Sequence, residues 1–443
     1  MEINRLWAAF GIVLVALTGL WLLSVSADAF ANFWSTRNGL VYYTGVLAVG
    51  FMSVAVILAA RPVQIEDLLG GLDKFYRLHR WLGVTATLLA LAHWLLEIVP
   101  RWMVGQGWLA RPQRPSGEVQ TATGFNPFRD LRGIAAEAGE WSLYLLLTLV
   151  ALALWKRFPY RYFLRTHRLL APVYVILVFH AVILMDRDYW TAPVGPFMAI
   201  LMAGGSVAAV ASLFRRIGHS RRAVGRIEAL TRHHDNAVLD VGVRLETAWP
   251  GHHAGQFAFV DFGGVEGAHP FTISSAWHRD GRLAFSIKGL GDYTRALPDQ
   301  LFVGQAVTVE GPYGRFDFRG ERNRQIWIGG GIEITPFIAR LQALADEGKN
   351  APVDLIYSTN APAAAFIDNI RRLADQAGVR FHLLMTQQDG LLTLDRVEEM
   401  IPAWKDADVW FCGPLGFGRA LRDAMTARGF PAAQFHQELF DMR

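Results

Sequence analysis

Four histidines, His79, His93, His167 and His180, stand in two apolar stretches of the chain, 14 residues apart in the first stretch and 13 in the second. A histidine carried into hydrocarbon brings ring nitrogens that lipid cannot pair, so each needs a partner inside the protein. On an α-helix a 14-residue step rises about 21 Å and returns within about 40° of the starting face, so His79 and His93 address one interior seam at two depths. The 13-residue step leaves His180 about 140° from His167 on an ideal helix. Pro172, between them, removes one intrahelical hydrogen bond and is the place to expect a kink that rewinds the helix. When the two stretches run in the same direction, His79 meets His167 and His93 meets His180. One buried histidine is usually a satisfied core residue, but four at matched depths are poorly explained that way. Two imidazoles on opposite faces of one iron suit a b-type haem that transfers electrons rather than binding ligands at the metal, and two pairs predict two stacked haems.

The membrane setting follows from where the apolar residues lie. They make up 52% of the 443 residues, and up to about Phe214 they form runs close to the roughly 20 residues that cross a bilayer. Six spans are expected, near 6–26, 39–60, 80–99, 140–155, 169–185 and 191–214. Lys and Arg collect between them at Arg61, Lys74, Arg77 and Arg80, at Lys156, Arg157, Arg161, Arg165 and Arg168, and after the last span at Arg215, Arg216, Arg221 and Arg222. By the positive-inside rule these segments are cytoplasmic, which puts both termini and the remainder of the chain in the cytoplasm of a multi-pass cell-membrane protein. The net charge of +4 then reflects topology, and no arginine-aromatic pattern points to nucleic acid. The first span, with Arg5 before it and Ser26-Ala27-Asp28-Ala29 after it, imitates a secretory signal, although its apolar run is longer than a signal core; a retained helix is the expectation. The single cysteine, Cys412, excludes intrachain disulfides and a four-cysteine iron-sulfur cluster.

Beyond Arg226 the pattern changes to short strands with glycine punctuation, at 237–245, 256–262, 282–288 and 305–310, which predicts a small antiparallel barrel. Within it, His269-Pro270-Phe271-Thr272-Ile273-Ser274 places hydroxyls beside an aromatic ring. Lys288-Gly289-Leu290-Gly291-Asp292-Tyr293-Thr294 offers a cation, glycines and a hydroxyl where a loop enters a helix, an arrangement suited to a pyrophosphate. From about Asn323 strands at 325–328, 353–358, 380–386 and 409–412 alternate with helices at 336–346, 363–376 and 415–427, the pattern of a doubly wound parallel sheet. Its first turn reads Gly329-Gly330-Gly331-Ile332-Glu333-Ile334-Thr335-Pro336, glycine-rich and opening a helix, so its amides can approach a dinucleotide phosphate. Cys412-Gly413-Pro414 closes a later strand, at the carboxyl edge where such sheets bind ligands. The expected domains are a transmembrane di-haem domain at 1–217, a β-barrel domain at 218–322 and an α/β nucleotide domain at 323–443.

With these motifs in this order, the chain resembles the ferric reductase and NADPH oxidase superfamily, its soluble half being similar to the ferredoxin reductase type of FAD and NAD(P)H-binding module. The resemblance implies that His269, Pro270, Phe271, Thr272 and Ser274 line FAD, and that Lys288, Gly291, Asp292, Tyr293 and Thr294 lie at the flavin pyrophosphate. It implies that Gly329, Gly330, Gly331, Thr335 and Pro336 hold the nicotinamide nucleotide phosphates, with Cys412, Gly413 and Pro414 near the nicotinamide ring. It also implies an aromatic over the flavin near the C-terminus, for which Phe440 is the candidate, plain core being the other explanation. Arg80 and Arg168, each directly after a histidine, can pair with haem propionates or serve as positive anchors at helix ends. Two departures from the family stand out. Glu333 occupies the usual third glycine of the phosphate loop, which predicts weakened nucleotide binding. Ser358-Thr359-Asn360 stands where NADPH-binding members often carry an arginine, leaving NADH against NADPH open.

The expected activity is electron transfer from cytoplasmic NAD(P)H through FAD and two b-type haems to ferric iron or molecular oxygen outside, with a surface protein as a third acceptor. Glu97, one turn beyond His93, can assist a proton or a metal chelate at the outer surface, or be a solvated helix end. The segment Pro100 to Glu137, with Arg111, Arg114, Arg129 and Arg132, caps the outer haem, receives an anionic ferric chelate, or is a solvated loop. A haem-binding membrane sensor or scaffold with a regulatory nucleotide domain is the alternative, and Glu333 is the residue that favours it.

Overall fold

The structure is a computed structural model that describes residues 2–62, 70–111, 125–214, 216–264, 266–348, 352–361 and 363–438. The chain divides into two compact units, Ile3–Leu69 with Lys74–Ile217, and Gly218–Arg443 with Met1–Glu2 and Gly70–Asp73.

Among the described residues, six helices in the first unit are long and apolar enough to cross a membrane. They are α1 (Glu2–Leu22), α2 (Phe33–Ala59), α3 (Leu72–Gly105), α4 (Arg132–Leu154), the pair α5 (Tyr160–Arg168) and α6 (Leu170–Leu184), and α7 (Val194–Leu213). Asn32 starts α2 with a capping box: its side chain accepts from the Ser35 amide at 2.9 Å while its own amide donates to Ser35 Oγ at 3.0 Å, satisfying two otherwise orphaned donors. α2 packs against α6 and α7, and α4 packs against α6. A tyrosine locks the centre of this packing. Tyr174 of α6 lies 2.8 Å from Ser53 Oγ of α2, in a space that exists because α7 has glycine at 205, where a Cβ would come within 2.2 Å of the hydroxyl.

Two boundaries differ from the sequence expectation. Pro100 lies inside α3, which continues to Gly105, and α4 begins at Arg132, so the segment after the third span is shorter than 100–137. The interruption between His167 and His180 falls at Leu169 rather than at Pro172. The proline acts upstream of itself: it lacks the amide that would bond the Arg168 carbonyl and its ring crowds that carbonyl.

The second unit holds two sheets. Strands β1 (Arg222–His233), β2 (Val238–Leu245), β3 (Phe257–Asp261), β4 (His269–Thr272), β5 (Arg282–Lys288) and β6 (Ala306–Tyr313) pair antiparallel in the order β4-β3-β6-β1-β2-β5. The Ser274 amide, just past β4, donates to the Ala284 carbonyl of β5 at 2.8 Å, which joins the two edges into a barrel around Ile227, Val241, Val260, Phe285 and Val309. Helix α8 (Asp292–Gln300) follows β5.

The remaining strands, β7 (Arg324–Gly330), β8 (Val353–Thr359), β9 (Arg380–Met385), β10 (Ala407–Cys412) and β11 (Phe435–Gln437), form a parallel sheet ordered β11-β10-β7-β8-β9. Both faces are buried. Trp327 and Leu355 pack with α9 (Thr335–Glu347) and α10 (Ala364–Gln376), while Ile326, Ile328 and Val409 pack with α11 (Leu394–Met400) and α12 (Leu415–Ala427). Burial on both faces makes these strands read as continuous apolar runs. The chain builds outward from β7 to β8 and β9, then returns to place β10 on the other side of β7, so the switch in direction lies between β7 and β10.

Candidate functional site

In the membrane unit the four histidines come together as two pairs. The rings of His79 and His167 have centroids 5.9 Å apart at 64°, and those of His93 and His180 lie 6.2 Å apart at 79°. An imidazole nitrogen sits roughly 2 Å from a bound first-row metal such as zinc, and the same reach on both sides of one iron places ring centroids about 6 Å apart. Both pairs therefore fit axial ligation of one metal each. Among the described residues no group of three or more His, Cys, Asp or Glu side chains gathers to hold an ion. A metal between these rings needs its other ligands from a non-protein group, as a porphyrin provides.

The ring nitrogens are oriented by backbone carbonyls. His79 Nδ1 lies 2.8 Å from Ala55 O and His93 Nδ1 2.9 Å from Val41 O, both on α2. His180 Nδ1 lies 2.8 Å from Ala135 O on α4. An Nδ1–H committed to a carbonyl leaves Nε2 as the nitrogen with a lone pair for a metal. Val41 and Ala55 are themselves 14 residues apart, so α2 repeats the spacing of the histidines it positions. One turn after Val41 comes Gly45 and one turn after Ala135 comes Gly139, the residues whose amides share those carbonyls within the helix. A Cβ on Gly139 would lie 2.1 Å from His180 Nδ1, and one on Gly45 3.4 Å from His93. His167 differs. Its Nδ1 is buried with no hydrogen-bond partner among the described residues, and its ring stacks on Phe163 at 5.1 Å.

Arg80 and Arg168, which follow His79 and His167, are both exposed. Glu97 lies between two guanidinium groups, paired with Arg37 at 2.6 Å and with Arg101, so its carboxylate is held in ion pairs. Arg129 pairs with the neighbouring Asp130; Arg114 lies outside the described residues.

In the barrel, β4 carries His269 to Thr272 and the N-terminus of α8 lies beside it. The His269 and Tyr293 rings stack at 3.8 Å and 15°. Burial lowers the His269 pKa to about 4, against the opposing pull of Asp261, so this ring is neutral at physiological pH. Burial, with Asp261 and Glu266 adding to it, holds the Tyr293 hydroxyl protonated. Ser274 is buried, 3.5 Å from Ser286 Oγ. Thr294 spends its hydroxyl on its own helix start, accepting from the Leu290 and Gly291 amides at 3.0 and 3.1 Å. Gly291 and Asp292 form that start, and Lys288 ends β5.

The other sheet brings its two motifs together at the switch point. Cys412 pairs in register with Gly329, and a Cβ on Gly330 would lie 3.0 Å from Pro414 and 3.3 Å from Gly413. Gly331 has φ +61, the left-handed turn that glycine adopts without strain, and Thr335 and Pro336 open α9. Cys412 is fully buried, and burial, then Glu438 and Glu333, raises its pKa well above the usual thiol range, so it is a neutral thiol. Burial pushes Glu333 up to about 7, with Lys288 opposing. Gln437, at the end of β11 on the same edge, has a buried amide nitrogen beside Gly418 without a partner among the described residues. A buried donor left unpaired costs about 1–3 kcal/mol, and a ligand acceptor at this edge would satisfy it. Phe440 lies outside the described residues.

Sequence reasoning missed the three carbonyl tethers and Gln437. The glycines at 45 and 139 within apolar spans were the available signal for the first; β11, only three residues long, gave none for the second.

Residues 44–178 match the family described as ferric reductase like transmembrane component, a match that takes in His79, His93 and His167, and residues 227–317 match the family described as FAD-binding domain. With these matches and its six apolar helices the chain is a multi-pass membrane protein. It is similar to the stachydrine N-demethylase reductase subunit Stc4 of Rhizobium meliloti, with 26% identity over 43% of this chain and 58% of the relative. It is also similar to a flavohemoprotein of Pseudomonas putida, with 28% identity over 45% of this chain and 53% of the relative. The chain thus spans between half and two thirds of the length of these relatives. Among solved structures, the FAD/NAD-binding domain of a nitric oxide dioxygenase from Vibrio cholerae aligns with 49% of this chain and 98% of its own, at 22% identity and a TM-score of 0.43.

Proposed function

We propose, for a chain that carries the two matched domains of the ferric reductase and NADPH oxidase superfamily, that it moves electrons from cytoplasmic NAD(P)H through FAD and two bis-histidine b-type haems to an acceptor outside, ferric iron or oxygen reduced to superoxide. The observation that carries this reading is the pair of imidazole couples, each about 6 Å between centroids and one helical histidine spacing apart in depth. When bound, the flavin takes up two electrons as a hydride and gives them out singly, and the haems relay single electrons.

The chain's own residues bind, orient and exclude. The carbonyls of Ala55, Val41 and Ala135 fix three of the four imidazoles with Nε2 inward. Arg80 and Arg168 supply positive charge at the level of the first pair for haem propionates. In the barrel, β4 and Ser274 line the flavin, the neutral His269–Tyr293 stack walls it, and the amides at the start of α8 face its pyrophosphate. At the switch point Gly329 to Pro336 take the nicotinamide nucleotide phosphates. Cys412, a neutral thiol buried at the end of β10, adds no charge beside the nicotinamide ring. The positive-inside distribution of Lys and Arg supports a cytoplasmic position for this half, and each turnover then carries negative charge outward.

The test is an anaerobic absorbance spectrum of the purified protein with FAD, before and after NADH or NADPH, followed by oxygen or ferric citrate in separate samples. Reduced b-type bands that one acceptor rapidly reoxidises are the expected result, and that acceptor is the substrate. Haems that stay oxidised under both nucleotides yet reduce with dithionite would replace this reading with the sensor or scaffold.

A further inference from the structure

We propose that Glu333 couples nicotinamide nucleotide binding to proton uptake: the phosphate loop accepts the nucleotide only with the Glu333 carboxyl protonated, so affinity falls as the cytoplasm becomes alkaline. The inference rests on the reading that Gly329 to Pro336 hold the nucleotide phosphates.

The loop is clamped, which holds the backbone that carries Glu333 in place. On one side Gly329 fits against Ile334, where a Cβ would come within 2.5 Å of the isoleucine Cδ1. On the other Gly330 fits against Pro414 and Gly413. Ile334 and Thr335, immediately after Glu333, are buried, and Gly331 holds the left-handed turn before it. Glu333 therefore stays in the one-turn segment Gly331–Ile334 between β7 and α9, where the phosphates of a dinucleotide meet the helix start.

The groups around it decide its charge. From β5 the Lys288 cation favours the carboxylate; burial disfavours it and prevails, leaving the group near pH 7. From β10 the fully buried Cys412 thiol stays neutral, and the Glu438 carboxyl beyond β11 acts on that same thiol. From β8 the buried Tyr357 hydroxyl stays protonated. Lys288 is the one cation acting on Glu333 among these groups. Below about pH 7 the carboxyl is neutral and a pyrophosphate can lie against the loop. Above it, an ionised carboxylate faces two phosphate charges at short range, and binding requires a proton to be taken up first. By linkage the dissociation constant then rises about tenfold per pH unit above the free-protein pKa, until the bound-state pKa is reached.

The test uses the detergent-solubilised holoprotein and ADP-ribose, which has the pyrophosphate but no ring to donate a hydride. Calorimetry between pH 6 and 8.5, in two buffers of different ionisation enthalpy, reads affinity and protons taken up together. The expected result is weakening of about 30-fold across this range, with proton uptake per bound nucleotide approaching one at the alkaline end, and both effects lost in Glu333→Gln. Lys288→Met moves the break in the profile upward, because the cation that favours ionisation is gone. Flat affinity without proton uptake in the wild-type protein overturns the inference, as does an unchanged slope in Glu333→Gln, while leaving the nucleotide reading standing. Absence of ADP-ribose binding to either protein at any pH overturns the nucleotide reading itself.

Discussion

The two histidine pairs stand at nearly the same ring separation, yet they are held in different ways. His93 and His180 are both tethered through Nδ1 to helix carbonyls, each with a glycine one turn on. In the other pair His79 has such a tether and His167 has none among the described residues. A carbonyl acceptor fixes the ring and raises its basicity as a ligand. Equal ring spacing therefore does not mean equal support: both imidazoles of the pair farther along α3 have a carbonyl tether, and only one of the other pair has.

Three experiments break or sharpen that comparison. The largest effect is expected from removing a ligand: His79→Ala or His93→Ala should each reduce the haem bound per protein from two to one, read by the pyridine haemochrome assay, and retention of both haems would refute axial ligation. Next comes the glycine contrast. Gly139→Ala puts a Cβ where His180 Nδ1 lies and should weaken haem binding at that pair by roughly 10- to 100-fold, whereas Gly45→Ala meets His93 at ordinary contact distance and should leave content nearly unchanged. Equal losses in the two variants would dissolve the distinction. The smallest effect is electronic. In a spectroelectrochemical titration the His93/His180 haem should have the lower midpoint potential, identified as the component that Gly139→Ala perturbs; the opposite order would mean that the tether does not tune the metal.

What the sequence made legible, and what it hid, follows from the range of the interactions involved. The apolar runs announced six spans because each records its own burial locally, and the alternation of strands and helices after Asn323 announced a parallel sheet buried on both faces. The histidine spacing even anticipated the pairing of rings across helices. The break at Leu169 was misplaced by three residues, because the sequence shows the proline and not the carbonyl it disables. The α3 extension through Pro100 was missed because proline near the end of a helix need not terminate it when the remaining turns are otherwise favourable. The tethers on Val41, Ala55 and Ala135 were hidden because a backbone carbonyl has no sequence identity. Strand β1 escaped because its outward face is rich in charge, with Arg222, Arg226, Glu228 and Arg232 alternating with a buried row. In the soluble unit, Thr294 was legible as a helix-start residue, but its commitment to the Leu290 and Gly291 amides was not.

The interruption at Leu169 has a consequence for assembly. His79 and His93 ride on one continuous helix, while His167 and His180 belong to segments on either side of a break. Each haem would then act as a separate staple from the α3 rod to an independently hinged piece, one to α5 and one to α6. Insertion can proceed one haem at a time, with the first fixing its own segment and the break absorbing the adjustment that the second still requires.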